Sequence, residues 1–167
     1  MAASETTLSL SPSQHGLKEA LATAQKSLIA KTRRAYAGIN TLSEYTNSID
    51  TILQQIYRES SAGNAAPVTL IALGGYGRRH QCQCSDIDLL VLFDSRIGPA
   101  EEHCLRSILH PLWDLGLTVG HQVRELPDFD SPELDNPEYL VALREARFLD
   151  GDHGLFGQFR RICLDTT

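Results

Sequence analysis

Asp86 and Asp88, separated by Ile87, are the residues whose types and spacing point most directly to chemistry. In a strand, successive side chains alternate faces, so the two carboxylates point one way and Ile87 points into the core. They lie about 7 Å apart along the strand and can share one or two Mg²⁺ (or Mn²⁺) ions. No Lys or Arg stands within four positions of either. Burying such a pair unneutralised is costly, so a metal or solvent must meet it. Ahead of the pair runs Gly74-Gly75-Tyr76-Gly77-Arg78. Gly74 and Gly75 lack the Cβ atoms that would keep a triphosphate from the backbone. Free N–H groups in such a turn form an anion-binding concavity, and Arg78 adds a planar donor for phosphate oxygens. A turn that admits phosphates beside a metal-holding pair reads as a nucleoside-triphosphate site.

Those residues need a scaffold that brings the turn and the carboxylates together. Val68 to Leu73 is an apolar run that reads as a buried strand leading into the turn. The pair runs into a second apolar strand, Leu89 to Phe93, so that two strands form a hairpin around the site. Pro99 opens a helix that directs Leu105, Ile108, Leu109, Leu112 and Trp113 towards the sheet. A third strand, Leu117 to Glu125, is followed by a loop from Asp128 to Pro137. Two helices, about Glu138 to Leu149 and Leu155 to Cys163, come last. Upstream, Ser13 is placed to cap a helix with Leu17, Leu21, Ala24, Leu28 and Ala35 at helical spacing. Another helix spans about Ser43 to Arg58, with Ile49, Ile52, Leu53 and Ile56 on one face. The expected organisation is a disordered N-terminus over 1–12, a helical segment over 13–60 and a catalytic core over 61–167. The class is α/β (α+β), a small mixed sheet flanked by helices with an N-terminal helical hairpin.

A Gly-Gly turn followed by Asp-x-Asp on the next strand resembles the DNA polymerase beta-like nucleotidyltransferase superfamily. Gly74 to Arg78 and Ser85 to Leu90 are similar, at the same spacing, to a narrower family. This is the nucleotidyltransferase domain of the bifunctional PII uridylyltransferase/uridylyl-removing enzymes. Leu112 to Leu117 with Val119 to Arg124, and Glu145 to Leu149 with Gly151-Asp152 and Leu155-Phe156, resemble later blocks of that family. The resemblance covers roughly residues 17 to 163. It implies a polymerase beta-like fold and transfer of UMP from UTP to a tyrosine hydroxyl of a PII-type signal protein, with release of pyrophosphate. It implies Asp86 and Asp88 as catalytic, Mg²⁺-holding residues, and Gly74, Gly75, Arg78 and Ser85 as nucleotide-binding. For the superfamily's third carboxylate the candidates are Asp128, Asp130 and Glu145, with Glu145 favoured because it sits in a matching block. The alternative is that Glu145 pairs with Arg144 or Arg147 on a helix surface.

The chain also departs from the family. Arg79 to Cys84 stands where Gly-Glu-Leu-x-Pro-Tyr is common, and Gln122 replaces a usual serine. The first segment would lie beside the nucleotide, where it can alter rate or base preference. His121 either faces the nucleotide or is a core histidine. Trp113 is expected in the core, and Tyr76 is expected to pack over the glycine turn. The family's hydrolytic His-Asp domain and ligand-sensing domains are not visible, so uridylyl removal and glutamine sensing are not expected.

Composition bounds the remaining readings. The 167 residues suit about one domain, and 42% apolar with 22% charged residues is ordinary for a soluble globular chain. There is no run of 18 apolar residues and no basic, apolar leader at Met1 to Thr7, so no membrane association and a cytoplasmic location are expected. A net charge of −6 argues against a broad nucleic-acid surface. Lys26, Lys31, Arg33 and Arg34 read as a solvated helix face. Cys82, Cys84, Cys104 and Cys163 read as reduced thiols. A zinc site from His80, Cys82, Cys84, His103 and Cys104 lacks the usual Cys-x₂₋₄-Cys pair. Two rivals stand beside uridylyl transfer. One is nucleotidyl transfer, from ATP for example, to another protein or a small molecule. The other is a regulatory module that binds nucleotide without turnover.

Overall fold

The structure, a computed structural model, describes residues 12–34, 38–61, 67–129 and 137–165. Two long helices, α1 (Pro12–Arg33) and α2 (Ile39–Ser61), precede strand β1 (Val68–Ala72). A single helical turn, α3 (Gly74–Gly77), leads to β2 (Ile87–Phe93). Helix α4 (Pro99–Asp114) then connects to β3 (Val119–Glu125) and a 3₁₀ turn (Leu126–Phe129). Helix α5 (Pro137–Arg144), strand β4 (Arg147–Gly151) and helix α6 (His153–Asp165) complete the order.

The four strands form one mixed sheet in the order β3-β2-β1-β4. β1 runs antiparallel to both β2 and β4, whereas β2 and β3 are parallel. A parallel pair needs a long crossover, and α4 supplies it. Every residue of β1 is buried, as are Leu89 to Phe93 of β2, because helices cover both faces of these central strands. On one face Leu70, Ala72, Leu89 and Val91 pack with residues of α1, α2 and α4, including Leu17, Ile52 and Leu112. On the other, Ile71, Leu73, Leu90 and Leu92 meet Phe129, Leu143, Leu155 and Phe159. The period-two alternation of β2 therefore places Asp88 on the second face, beside Leu90.

The N-terminal helices share the sheet's core. Leu17, Leu21, Ala24 and Leu28 are buried as their spacing predicts, while Ser13 and Ala35 fall among the residues whose side chains lie outside the description. α2 buries Ile49, Ile52, Leu53 and Ile56 and runs further in both directions than Ser43 to Arg58. Helix α4 begins at Pro99, and the Glu101 carboxylate accepts the Gly98 N–H at 2.9 Å. Pro111 within α4 cannot donate to the Ser107 carbonyl, and the Ser60 hydroxyl of α2 donates to it instead at 2.7 Å.

Two expectations are corrected. The helix expected over Glu138 to Leu149 ends at Arg144, and Arg147 to Gly151 is a strand. Its cause is non-local: β1 would otherwise leave one edge unpaired in the interior, and Ile71 pairs with Phe148 and Ala72 with Arg147. Trp113 is 46% exposed rather than in the core, because the buried stripe of α4 passes through Ile108, Leu109 and Leu112. No helix among the described residues is long and apolar enough to cross a membrane.

Candidate active site

The end of β1 delivers the chain directly to the acidic pair. The Leu73 N–H donates to the Asp88 carbonyl at 2.9 Å, and the backbone then turns at Gly74 with φ +53°. Gly77 N–H closes the turn onto Leu73 O at 2.7 Å, and Arg78 N–H onto Gly74 O at 3.1 Å. The Gly74 and Gly75 N–H groups make no hydrogen bond to the described residues. A Cβ built at Gly74 would stand 2.8 Å from Asp88 Oδ2. Across the sheet, Gly120 is the register partner of Asp88, and a Cβ there would stand 3.2 Å from Asp88 Oδ1. Two glycines from separate elements thus form a cradle around one carboxylate.

Asp86 immediately precedes β2, so the predicted strand begins one residue later than the pair requires. The alternation nevertheless holds: Asp86 and Asp88 are exposed and Ile87 between them is buried. Neither carboxylate has a hydrogen-bond or ion-pair partner among the described residues. Partial burial, and then the charge of Asp86, push the Asp88 carboxyl above its ordinary value. Like charge on an open ledge with room around the oxygens fits a divalent cation. Mg²⁺ is commonly held by one or two carboxylates plus substrate phosphates and water. No group of three or more His, Cys, Asp or Glu side chains is placed to hold a metal among the described residues. Of the residues weighed for zinc, Cys82 and Cys84 are exposed, free thiols and Cys104 is buried.

The turn is held from beneath. Tyr76 is buried, as expected, and its hydroxyl donates to Asp50 Oδ1 at 2.7 Å. Burial and the adjacent Asp50 push that hydroxyl well above its ordinary value, so it stays a donor. Arg147 donates to Asp50 through both terminal nitrogens, at 2.8 and 3.1 Å, and its guanidinium carbon lies 5.4 Å from the centre of the Tyr76 ring. On the outer side, Arg78 pairs with Glu145. Glu145 therefore pairs with neither Arg144 nor Arg147. Of the other acids considered, the Asp128 carboxylate accepts the Glu125 N–H at 3.0 Å, and Asp130 lies outside the described residues.

The segment Arg79 to Cys84 rests on α2. Arg79 adopts φ 63°, uncommon for a residue with a side chain, and bonds Asn47. The Gln81 N–H donates to Thr46 Oγ1 at 3.2 Å, and its buried amide donates to the Ser85 carbonyl at 2.7 Å. Ser85 itself is exposed beside Asp86. Gln122 stands beside Leu90 on the Asp88 face, and its amide oxygen is buried without a partner among the described residues. His121 does neither thing expected of it: it is exposed on the opposite face, its ring 6.0 Å from that of Trp113. Asp50, Arg147, Gln81 and Gly120 were not apparent as site residues in the sequence. A signal existed for Asp50, a lone acid within the apolar stripe of Ile49, Ile52 and Leu53.

No protein-family model matches the chain. It is 34% identical over 117 residues to the bifunctional uridylyltransferase/uridylyl-removing enzyme of Pasteurella multocida, covering 70% of this chain and 13% of that protein. The enzyme of the same name from Nitrosospira multiformis is 30% identical over 160 residues, covering 90% and 17%. That from Bordetella avium is 33% identical over 145 residues, covering 87% and 17%. The chain spans 13–17% of the length of these curated relatives. The fold is of the expected class, and the chain is similar to the nucleotidyltransferase domain of the bifunctional uridylyltransferase/uridylyl-removing enzymes.

Proposed function

We propose that this chain is a metal-dependent nucleotidyltransferase unit that moves UMP from UTP to a tyrosine hydroxyl of a PII-type signal protein. The observation that carries this reading is the Asp86/Asp88 ledge, unpartnered among the described residues, with Asp88 set between Gly74 and Gly120. In the reaction, the tyrosine oxygen bonds to the α-phosphorus, the bond from that phosphorus to the bridging oxygen breaks, and pyrophosphate leaves with the electron pair. The hydroxyl proton passes to solvent. Asp86 and Asp88 would hold Mg²⁺ (or Mn²⁺), which when bound lowers the pKa of an attacking hydroxyl and offsets charge on phosphate oxygens. Gly74 and Gly75 present free N–H groups to the triphosphate, and Ser85 lies next to the acidic ledge. Arg78 supplies positive charge at the turn, and Glu145 acts through it by fixing the guanidinium. Such a reaction belongs in the cytoplasm, where nucleoside triphosphates and Mg²⁺ are abundant.

A second reading, nucleotide binding without turnover, has one observation in its favour: Glu145 is engaged by Arg78 and no third acid joins the pair among the described residues. Pyrophosphate release with Mg²⁺ and each nucleoside triphosphate in turn, with and without a PII-type protein, separates the two. Release from UTP that depends on the acceptor supports the first. Release from ATP keeps the chemistry and changes the substrate. Tight UTP binding with no release supports the second.

A further inference from the structure

We propose that Asp50 of α2 and Arg147 of β4 are positioning residues that fix the glycine turn and thereby set its affinity for nucleotide. The proposal rests on the nucleotide-binding reading above. A four-residue helix such as α3 has no intrahelical partners for its last carbonyls. The N–H groups of Arg78, His80 and Arg79 meet the carbonyls of Gly74, Gly75 and Tyr76, and Arg147 completes the set: its Nε donates to Gly77 O and one terminal nitrogen adds a second bond to Tyr76 O, each at 3.2 Å. A cation at a helix C-terminus is favourable in its own right. The same guanidinium is gripped by both oxygens of Asp50, and Asp50 Oδ1 also accepts the Tyr76 hydroxyl. The Asp50 and Arg147 side chains are only 11% and 18% exposed. Gly77 closes the assembly, since a Cβ there would stand 2.9 Å from the Glu145 carbonyl.

Besides holding the turn, the tether joins α2 to β4, which are also joined by Gln54 donating to the Leu149 carbonyl at 2.9 Å and by Arg58 paired with Asp150. The strands and long helices are joined by the two apolar clusters whether or not it forms. Loss of the tether should therefore free α3 locally, and with it the orientation of the Gly74 and Gly75 N–H groups and of Arg78. Local opening of this kind is read by amide hydrogen exchange.

The test uses the full chain with Arg147→Lys, which keeps charge but loses the fork, and Asp50→Asn. Equilibrium dialysis with labelled UTP and Mg²⁺ gives affinity, pyrophosphate release gives KM and kcat, and hydrogen exchange reports residues 74–80. We expect about tenfold weaker UTP binding and a matching rise in KM. We expect kcat to stay within about threefold and exchange to quicken in 74–80 while β1 and β2 stay protected. The double variant should be little worse than either single one, because the residues act as one unit. Tyr76→Phe, which removes only the hydroxyl bond, should move all readouts the same way by about two- to threefold, and it carries the test if the charge variants do not fold. Unchanged affinity, or exchange that quickens uniformly across the chain, would overturn the proposal. If the wild type binds no nucleotide, the proposed function fails, and the tether is judged by exchange alone: local loss of protection supports it, uniform loss opposes it.

Discussion

Asp50 and Asp88 approach the glycine turn from different elements, and their surroundings differ in kind. Asp50 lies beneath the turn with both oxygens occupied, by the Arg147 fork and the Tyr76 hydroxyl. Asp88 lies beside the turn with no hydrogen-bond or ion-pair partner among the described residues, and it feels the like charge of Asp86. A fixed fork lets a carboxylate be buried as part of the framework. Leaving two acids side by side costs stability, and a bound cation would offset that cost. The turn is thus framed by one acid whose bonds are complete and one whose bonds are left for a ligand.

Breaking the open acid should have the largest effect on activity. Asp88→Asn is expected to reduce pyrophosphate release by at least about 100-fold, measured at saturating UTP and Mg²⁺. The same variant should unfold at a slightly higher temperature than wild type at neutral pH without metal. The Asp88 pKa is raised in the folded chain, so its favourable contribution is complete below the unfolded value and is lost as pH rises through the folded one. The difference in unfolding temperature should therefore vanish in acid, below the ordinary carboxylate range.

Breaking the closed acid should act on the fold. Asp50→Ala leaves the largely buried Arg147 guanidinium without its carboxylate, and the free energy of local opening across residues 74–80, read by hydrogen exchange, should fall by about 3 kcal/mol. Gly74→Ala is expected to be milder. It forces a side chain onto positive φ and towards Asp88 Oδ2, costing about 1 kcal/mol of stability and lowering Mg²⁺-dependent turnover. The smallest effect is expected at Glu145, whose pair with Arg78 is partly exposed. Glu145→Gln should change stability by less than about 1 kcal/mol, with a modest rise in the KM for UTP. A collapse of kcat as deep as that of Asp88→Asn would instead make Glu145 a third catalytic carboxylate.

What could be read from the chain depended on whether its cause was local. Val68 to Leu73 and Leu89 to Phe93 are uninterrupted apolar runs, so the hairpin around the site was legible. Asp86 and Asp88 were legible because a two-residue spacing maps onto one face of a strand. β4 was not, because Arg147 to Gly151 is short, lacks a period-two alternation and is extended where it pairs with β1. The Arg78–Glu145 pair joins residues 67 positions apart, and the Arg147–Asp50 pair spans 97, so neither leaves a periodic trace. Trp113 and His121 misled for the opposite reason: their types suggested burial or chemistry, but the end of α4 and the edge strand β3 leave both exposed.

The most direct test is transfer of label from α-labelled UTP to a PII-type protein, comparing wild type, Asp88→Asn and Asp50→Asn with Mg²⁺ and saturating nucleotide. Metal-held transfer at Asp86 and Asp88 predicts a labelled acceptor tyrosine with wild type, near-complete loss with Asp88→Asn, and retention of most of the rate with Asp50→Asn. Equal labelling by wild type and Asp88→Asn would contradict it.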